Sequence, residues 1–195
     1  MHGQGSNAIH FEHQLRSLKK LLDDDIEFVF LDAPIVFESP YLEQFYDMDF
    51  YSWFETINTD KTEHELQIAV QYLINKIEQI GKIDAVVGFS QSGMLIEHME
   101  RMCLAQKLPK MWNLSIMYSC ITVKTILGQS HSTELLPFNN IYIYGEKEPD
   151  NIKEIIPNLY EKEKQQVLVH DLGHDIPSDI LFTKSLTDAI KSIIF

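Results

Sequence analysis

The chain is short of positive charge: 16 Lys and Arg stand against 29 Asp and Glu, a net charge of −13 over 195 residues. Nucleic acid is bound through basic faces that displace phosphate counterions, and none is visible here, so no nucleic-acid partner is expected. The same balance argues against docking on anionic lipid. Cysteine is scarce as well. Cys103 and Cys120 are the only two, and both sit in apolar segments. Two cysteines allow at most one disulfide, which stands as the less favoured alternative; they read as buried thiols of a reducing compartment. No apolar run approaches the roughly 18 residues that suggest a membrane-spanning helix. With neither a charged-then-apolar leader nor a lipidation motif in view, the expectation is a soluble, cytoplasmic chain with no membrane insertion.

What is present is an ordinary apolar fraction of 45%, without repeats, linkers or low-complexity stretches. A chain of this size buries roughly 70% of the surface its unfolded form exposes. Residues 1–195 are therefore read as one domain. Apolar periodicity predicts helices over 8–22, 61–80, from 95 onward, over much of 151–164, and over 177–194. Short apolar runs predict strands at 26–31, 83–87, 111–119, 141–144 and 167–169. The strand at 26–31 is apolar on both faces, as buried parallel strands tend to be. Residues 122–138 carry no clear period. This alternation of strands and helices predicts an α/β fold on a mostly parallel central sheet with helices on both faces.

The stretch that organises the chain is Asp84-Ala85-Val86-Val87-Gly88-Phe89-Ser90-Gln91-Ser92-Gly93-Met94-Leu95. A strand ends at Gly88, a helix is under way by Leu95, and only a sharp bend fits between them. That is the pattern of a nucleophile elbow, in which a serine is held on a strained strand-to-helix turn. Gly88 and Ser92, two places on either side of Ser90, are small enough for the two backbones to meet. Ser92 as the nucleophile would instead place Met94 at that contact. By composition such a string arises in about one chain in ten of this size, and a serine capping a helix is the plainer reading of it in isolation. Partners downstream, in the right order, raise Ser90 above that background.

Ligands of open parallel sheets sit beyond the carboxyl ends of the strands. The residues there are Ser90, the acidic cluster Glu146-Lys147-Glu148-Pro149-Asp150, and Asp171-Leu172-Gly173-His174. They give serine, acid and histidine in the chain order of α/β-hydrolases. A serine hydroxyl needs a base, and the acid orients that base and stabilises its cationic form. His174 follows a glycine directly after the last strand, where such a base must stand. His170 reads as structural, and His10, His13, His64 and His98 as helical surface groups. No metal site is expected. For the oxyanion, the Gln91 backbone amide opens the elbow helix, and the Gln4 amide of His2-Gly3-Gln4-Gly5 is the second donor. Eight of the 21 aromatic residues crowd into 37–54, including Phe37, Trp53 and Phe54. With no sustained period, that segment is either a packed flap or the wall of an apolar pocket, and residues 33–60 are read as an aromatic cap.

With these pieces placed, the sequence resembles the FSH family of serine hydrolases nearly end to end. The resemblance rests on His2-Gly3, Asp32-Ala33-Pro34, Trp53-Phe54, Gly88-Phe89-Ser90-Gln91, Tyr142-Ile143-Tyr144-Gly145 and Gly173-His174. Gly-Phe-Ser-Gln also occurs in carboxylesterases and acyl-protein thioesterases; Asp-Ala-Pro and Trp-Phe favour the FSH side. The resemblance implies hydrolysis of carboxylic esters or thioesters of apolar acids, with no cofactor. It differs at two places. The family acid is an aspartate where this chain has Glu148, so Glu148 is the expected acid and Asp150 the alternative. The family also carries a buried strand immediately before His-Gly, in mid-sheet between the strands at 26 and 83. Here the chain begins at Met1, so either that strand belongs to a preceding segment or something else fills its place.

The reading is therefore a serine esterase or thioesterase acting on a small-molecule ester or thioester. Ser90 is the nucleophile, His174 the base and Glu148 the acid. Gln4 and Gln91 hold the oxyanion, and Trp53, Phe54 and Phe37 line the acyl site. The rivals are an acyl-protein thioesterase or lysophospholipase, and a catalytically impaired acyl-binding protein. Oligomeric state is not legible in the sequence.

Overall fold

The computed structural model describes residues 1–39, 47–55, 59–122, 134–153 and 156–195. Four parallel strands form the main sheet in the order β3 (Ala85–Phe89), β4 (Leu114–Tyr118), β5 (Asn139–Gly145) and β6 (Gln165–His170). Ahead of them lie the helices α1 (Ala8–Gln14) and α2 (Arg16–Leu22), then a two-stranded antiparallel ribbon of β1 (Ile35–Val36) and β2 (Tyr51–Ser52). The helices α3 (Thr59–Ile80), α4 (Gln91–Leu104), α5 (Asp150–Lys153) and α6 (Ile180–Ile194) complete the set.

Strand alternation sorts the core into two layers. Leu114, Ile116 and Tyr118 of β4 and Ile141 and Ile143 of β5 pack with Phe11, Leu18, Leu22, Leu186 and Ile190 of α1, α2 and α6. The intervening Met117 and Tyr142 face the other way, onto Leu66 and Leu73 of α3 and Leu95, Ile96 and Met99 of α4. Period-2 side chains between two amphipathic helix layers are what the sequence predicts for a parallel sheet covered on both faces.

Three expectations need correction. The predicted helix over 8–22 breaks at Leu15 into α1 and α2 (φ −87°, ψ 6°), although Phe11, Leu15, Leu18 and Leu22 are all buried as its periodicity requires. The segment 151–164 is helical only as α5 and two 3₁₀ turns, Ile156–Asn158 and Lys162–Lys164, with 154–155 outside the described residues. Between those turns Tyr160 bridges to Leu136, and its buried hydroxyl donates to Glu100 Oε2 at 2.6 Å, a tertiary contact that overrides local propensity. Finally, residues 26–31 carry no β-ladder. Ile26, Phe28 and Phe30 still pack on the α1/α2/α6 core. What separates them from β3 is a cavity of about 590 Å³. Tyr41, Phe45, Tyr46 and most of 122–138 fall outside the described residues. No helix among the described residues is long and apolar enough to cross a membrane.

Glu100 on α4 is fully buried, with Ser115 Oγ, Trp112 Nε1 and Tyr160 Oη donating to it. Burial nevertheless dominates and pushes its pKa up from 4.5 to about 7. Because the folded value is raised, this carboxyl contributes stability that is full below pH 4.5 and is lost as pH rises through about 7. The wild-type chain is expected to lose about 3 kcal/mol across that interval. Glu100→Gln should flatten the dependence, and urea midpoints measured from pH 4 to 8 check it.

Candidate active site

Ser90 occupies the bend between β3 and α4, at φ 53° and ψ −112°. A non-glycine residue in this left-handed region is strained, so the surroundings must hold it there. The Ser90 N–H donates to Tyr118 O of β4 at 2.8 Å, and its carbonyl accepts from Gly93 N at 3.1 Å. The bend closes only because no side chain intervenes. A Cβ on Gly88 would lie 2.6 Å from Ile96 Cδ1 and 2.9 Å from Gly93 N, and one on Gly93 would lie 1.8 Å from Cys120 Sγ. Ser92 is more than small: its hydroxyl accepts from Phe89 N at 2.8 Å and donates to Met1 O at 2.8 Å. It thereby ties the elbow to the first residue of the chain.

The loops after β5 and β6 are zipped to each other. Glu146 N donates to His170 O at 2.8 Å and Lys147 N to Leu172 O at 3.2 Å. Gly145 permits this, since a Cβ there would lie 2.1 Å from Leu172 O and 2.5 Å from Gly173 O. The zipper brings the fully buried Glu148 side chain to His174, with Oε2 accepting from Nδ1 at 3.2 Å. With Nδ1 engaged in this way, Nε2 is the nitrogen of the neutral imidazole that carries the lone pair a base needs. The His174 ring packs on Phe89, the neighbour of Ser90, with centroids 5.0 Å apart. Among the described residues no hydrogen bond joins Ser90 to His174. Asp150 is exposed and engages Lys153 at 3.0 Å instead of the histidine.

The loop holding Gly3 and Gln4 lies against the elbow: a Cβ on Gly3 would be 3.4 Å from Ser90 Cβ. Gln4 is exposed at its turn, and the half-buried Phe37 ring covers Gly5. His2 fixes this loop from beneath. Ala33 N donates to its Nε2 at 3.0 Å, so Nδ1 carries the proton and donates to Gly3 O at 2.7 Å. Burial lowers the His2 pKa to about 4, which keeps the ring neutral and this pattern intact at neutral pH.

Trp53 and Phe54 have no exposed surface. Trp53 Nε1 donates to His2 O at 2.9 Å, and its backbone N–H donates to Gln91 Oε1 at 2.7 Å. Gln91 Nε2 in turn donates to Phe54 O at 2.5 Å. The aromatic segment thus clamps both the His2-Gly3 loop and the start of α4. Sequence reasoning treats His2 only as part of a loop and Gln91 only as a backbone donor. The motif pairs His2-Gly3, Asp32-Ala33 and Trp53-Phe54 are the signal it had, since they are the partners in this network.

With the geometry established, the chain can be set beside known proteins. The family model for serine hydrolase (FSH1) matches residues 1–186. The chain belongs to the FSH1 serine hydrolase family. No curated protein matches it. Among solved structures, esterase PE8 is similar over 98% of this chain and 89% of its own, with 20% identity and a TM-score of 0.68. A carboxylesterase from Mesorhizobium loti is similar over 98% and 86%, with 15% identity and a TM-score of 0.68. The Bacillus cereus carboxylesterase is similar over 99% and 86%, with 12% identity and a TM-score of 0.69. At such identities the likeness establishes the α/β-hydrolase fold, and FSH1 membership establishes the serine hydrolase family.

In this FSH1 chain, Gly145→Ala forces a methyl into backbone carbonyls and should part the two loops. Overpacking of this kind costs about 1–3 kcal/mol. Denaturant unfolding of the variant should show a loss in that range. Its hydrolytic rate should fall further than the same loss of stability produces when introduced at the distant Ile190 as Ile190→Ala.

Proposed function

We propose that this FSH1 chain hydrolyses carboxylic esters or thioesters of apolar acyl groups through an acyl-enzyme formed on Ser90. The observation that carries the proposal is the buried Glu148 carboxylate against Nδ1 of His174, whose ring lies over Phe89 beside the strained Ser90. Catalytic hydrogen bonds in unliganded sites are commonly long and tighten when substrate binds. On substrate entry Nε2 of His174 takes the Ser90 proton as Oγ attacks the acyl carbonyl. The tetrahedral oxyanion then sits between the backbone N–H groups of Gln4 and Gln91, at the N-terminus of α4. His174 returns the proton to the leaving alcohol or thiol. Water, deprotonated by the same imidazole, releases the acid and restores Ser90.

Phe37 borders the Gln4 loop and gives the acyl chain an apolar wall, whereas Trp53 and Phe54, expected to line the acyl site, have no exposed surface and support it from beneath through His2 and Gln91. Each methylene moved from water onto such a wall is worth about 0.8 kcal/mol. The preference therefore runs toward medium and longer acyl groups over acetyl.

Steady-state kinetics on a p-nitrophenyl ester series test this. Ser90→Ala and His174→Asn should each lower kcat by about 10³-fold or more with little change in KM. Glu148→Gln should cost about 10²- to 10⁴-fold, and Asp150→Asn should stay within about twofold. Full activity in His174→Asn, or equal losses at 148 and 150, would remove the assignments. A second expectation concerns chain length: kcat/KM should rise at least about tenfold from acetyl to octanoyl, and Phe37→Ala should reduce that ratio. Rates on an octanoyl thioester and its oxygen-ester twin determine which leaving group the site favours.

A further inference from the structure

Between the elbow and the acid stands the end of β4. Tyr118 O accepts from Ser90 N at 2.8 Å, and the next residue, Ser119, donates its N–H to Ile143 O of β5 at 2.8 Å. Backbone bonds thus tie positions 118 and 119 to the nucleophile on one side and to the strand that leads to the acid on the other. Ser119 is held at φ 52°, a left-handed conformation that glycine adopts without strain and serine does not. Its side chain is nonetheless inside the protein, with the residue 1% exposed. A strained non-glycine residue at a functional edge calls for a use of its side chain.

Among the described residues, the Ser119 hydroxyl is buried and has no hydrogen-bond partner, and the same is true of Glu148 Oε1. Buried polar atoms left unpaired are rare enough that each needs a reason. These two are complementary, because an ionised carboxylate oxygen only accepts and a serine hydroxyl has a proton to give. They are also brought to neighbouring strand ends. Glu148 N donates to Gly145 O at 3.0 Å, a turn that returns the acid to the end of β5, and β5 is paired with β4 through Tyr118 and Ile143. Burial first, and the Glu148 charge second, push up the pKa of the Cys120 thiol, so the carboxylate is within electrostatic reach of the residue beside Ser119. His170 Nε2, at the end of β6, is the competing donor: it is buried without a partner, and Nδ1 accepts from Leu172 N at 3.3 Å. Its ring packs edge-on against Phe182 of α6, in the core layer on the opposite face of the sheet from Cys120 and Tyr142. That places Ser119 first.

We infer that Ser119 is a positioning residue for the acid: as His174 takes up the Ser90 proton, the Ser119 hydroxyl donates to Glu148 Oε1. This inference rests on the hydrolase reading of the site. Glu148 then has one oxygen on Nδ1 of His174 and the other on the end of β4, so the carboxylate cannot swing away while the imidazolium forms. Charge-assisted hydrogen bonds are the strong ones. One that forms together with the imidazolium lowers the barrier and leaves substrate binding alone. Because Tyr118 O also receives the Ser90 N–H, a single turn at the end of β4 sets both the strained nucleophile and the acid.

The test is kinetic, on p-nitrophenyl octanoate, with Ser119→Ala and Ser119→Gly. Both should lower kcat by about 10- to 100-fold, the size of a hydrogen bond to a charged group, with KM unchanged. Glycine relieves the strain at this φ, so the thermal midpoint of Ser119→Gly should equal or exceed that of Ser119→Ala, and the glycine variant carries the test if the alanine variant folds poorly. In a Glu148→Ala chain, adding Ser119→Ala should cost less than about twofold in kcat, since the partner is gone. Full kcat in Ser119→Gly would mean that residue 119 serves the backbone alone, and would overturn the proposal. So would equal losses from Ser119→Ala with and without Glu148, or a loss coupled to Glu148 at His170→Gln instead of at Ser119. Hydrolysis indifferent to both Ser90→Ala and Glu148→Gln would remove the hydrolase reading and this inference together. Hydrolysis that needs those two residues and not Ser119 would remove the inference alone.

Discussion

The candidate site depends on backbones approaching where no Cβ can stand. Gly88 and Gly93 let α4 turn directly off β3, and Gly145 lets the β6 loop cross the end of β5. Either approach lost, the residues at 90, 148 and 174 would sit on separate elements with nothing to bring them together. The positive φ at Ser90 has the same origin, since a shorter path from strand to helix leaves no relaxed conformation for the residue between them. The sheet supplies the direction. All four strands run parallel, so their carboxyl ends lie on one edge, and the loops that carry residues 90, 148 and 174 begin there.

Around that edge sits a buried polar network that is as much part of the site as the three side chains. His2 is held between Ala33 N and Gly3 O, Trp53 reaches His2 O and Gln91, and Ser92 reaches Met1 O. All of these bonds but the one to Gly3 O join segments far apart in the chain. Neutral His2 is integral to the arrangement, because its Nε2 must accept while its Nδ1 donates. The network shows why the family pairs His2-Gly3, Asp32-Ala33 and Trp53-Phe54 belong together: they meet beneath the loop that would carry one oxyanion donor.

Local signals were the legible ones. The switch from a period of two to a helical period across Gly88 to Leu95 marks the elbow, and the two core layers follow from the same periodicities. Which of Glu148 and Asp150 contacts His174 is not decidable from spacing, because the zipper through Glu146, Lys147 and Gly145 decides which carboxylate meets the imidazole. The segment 26–31 has the composition of a buried strand, but a strand needs a ladder partner, and composition cannot supply one. The 151–164 region failed for a different reason: Tyr160 is drawn into a buried bond with Glu100, 60 residues away in sequence. Periodicity is blind to contacts of that range. His2, Gln91 and Ser92 were legible as residue types and not as partners, since their bonds are set by packing.

The central claim is that Ser90 is the nucleophile on a strained elbow. Incubation with a fluorophosphonate probe, followed by intact-mass measurement and peptide mapping, tests it directly. The account predicts one adduct per chain, carried on Ser90 and abolished in Ser90→Ala. An adduct on another residue, or none on a folded protein, would contradict it.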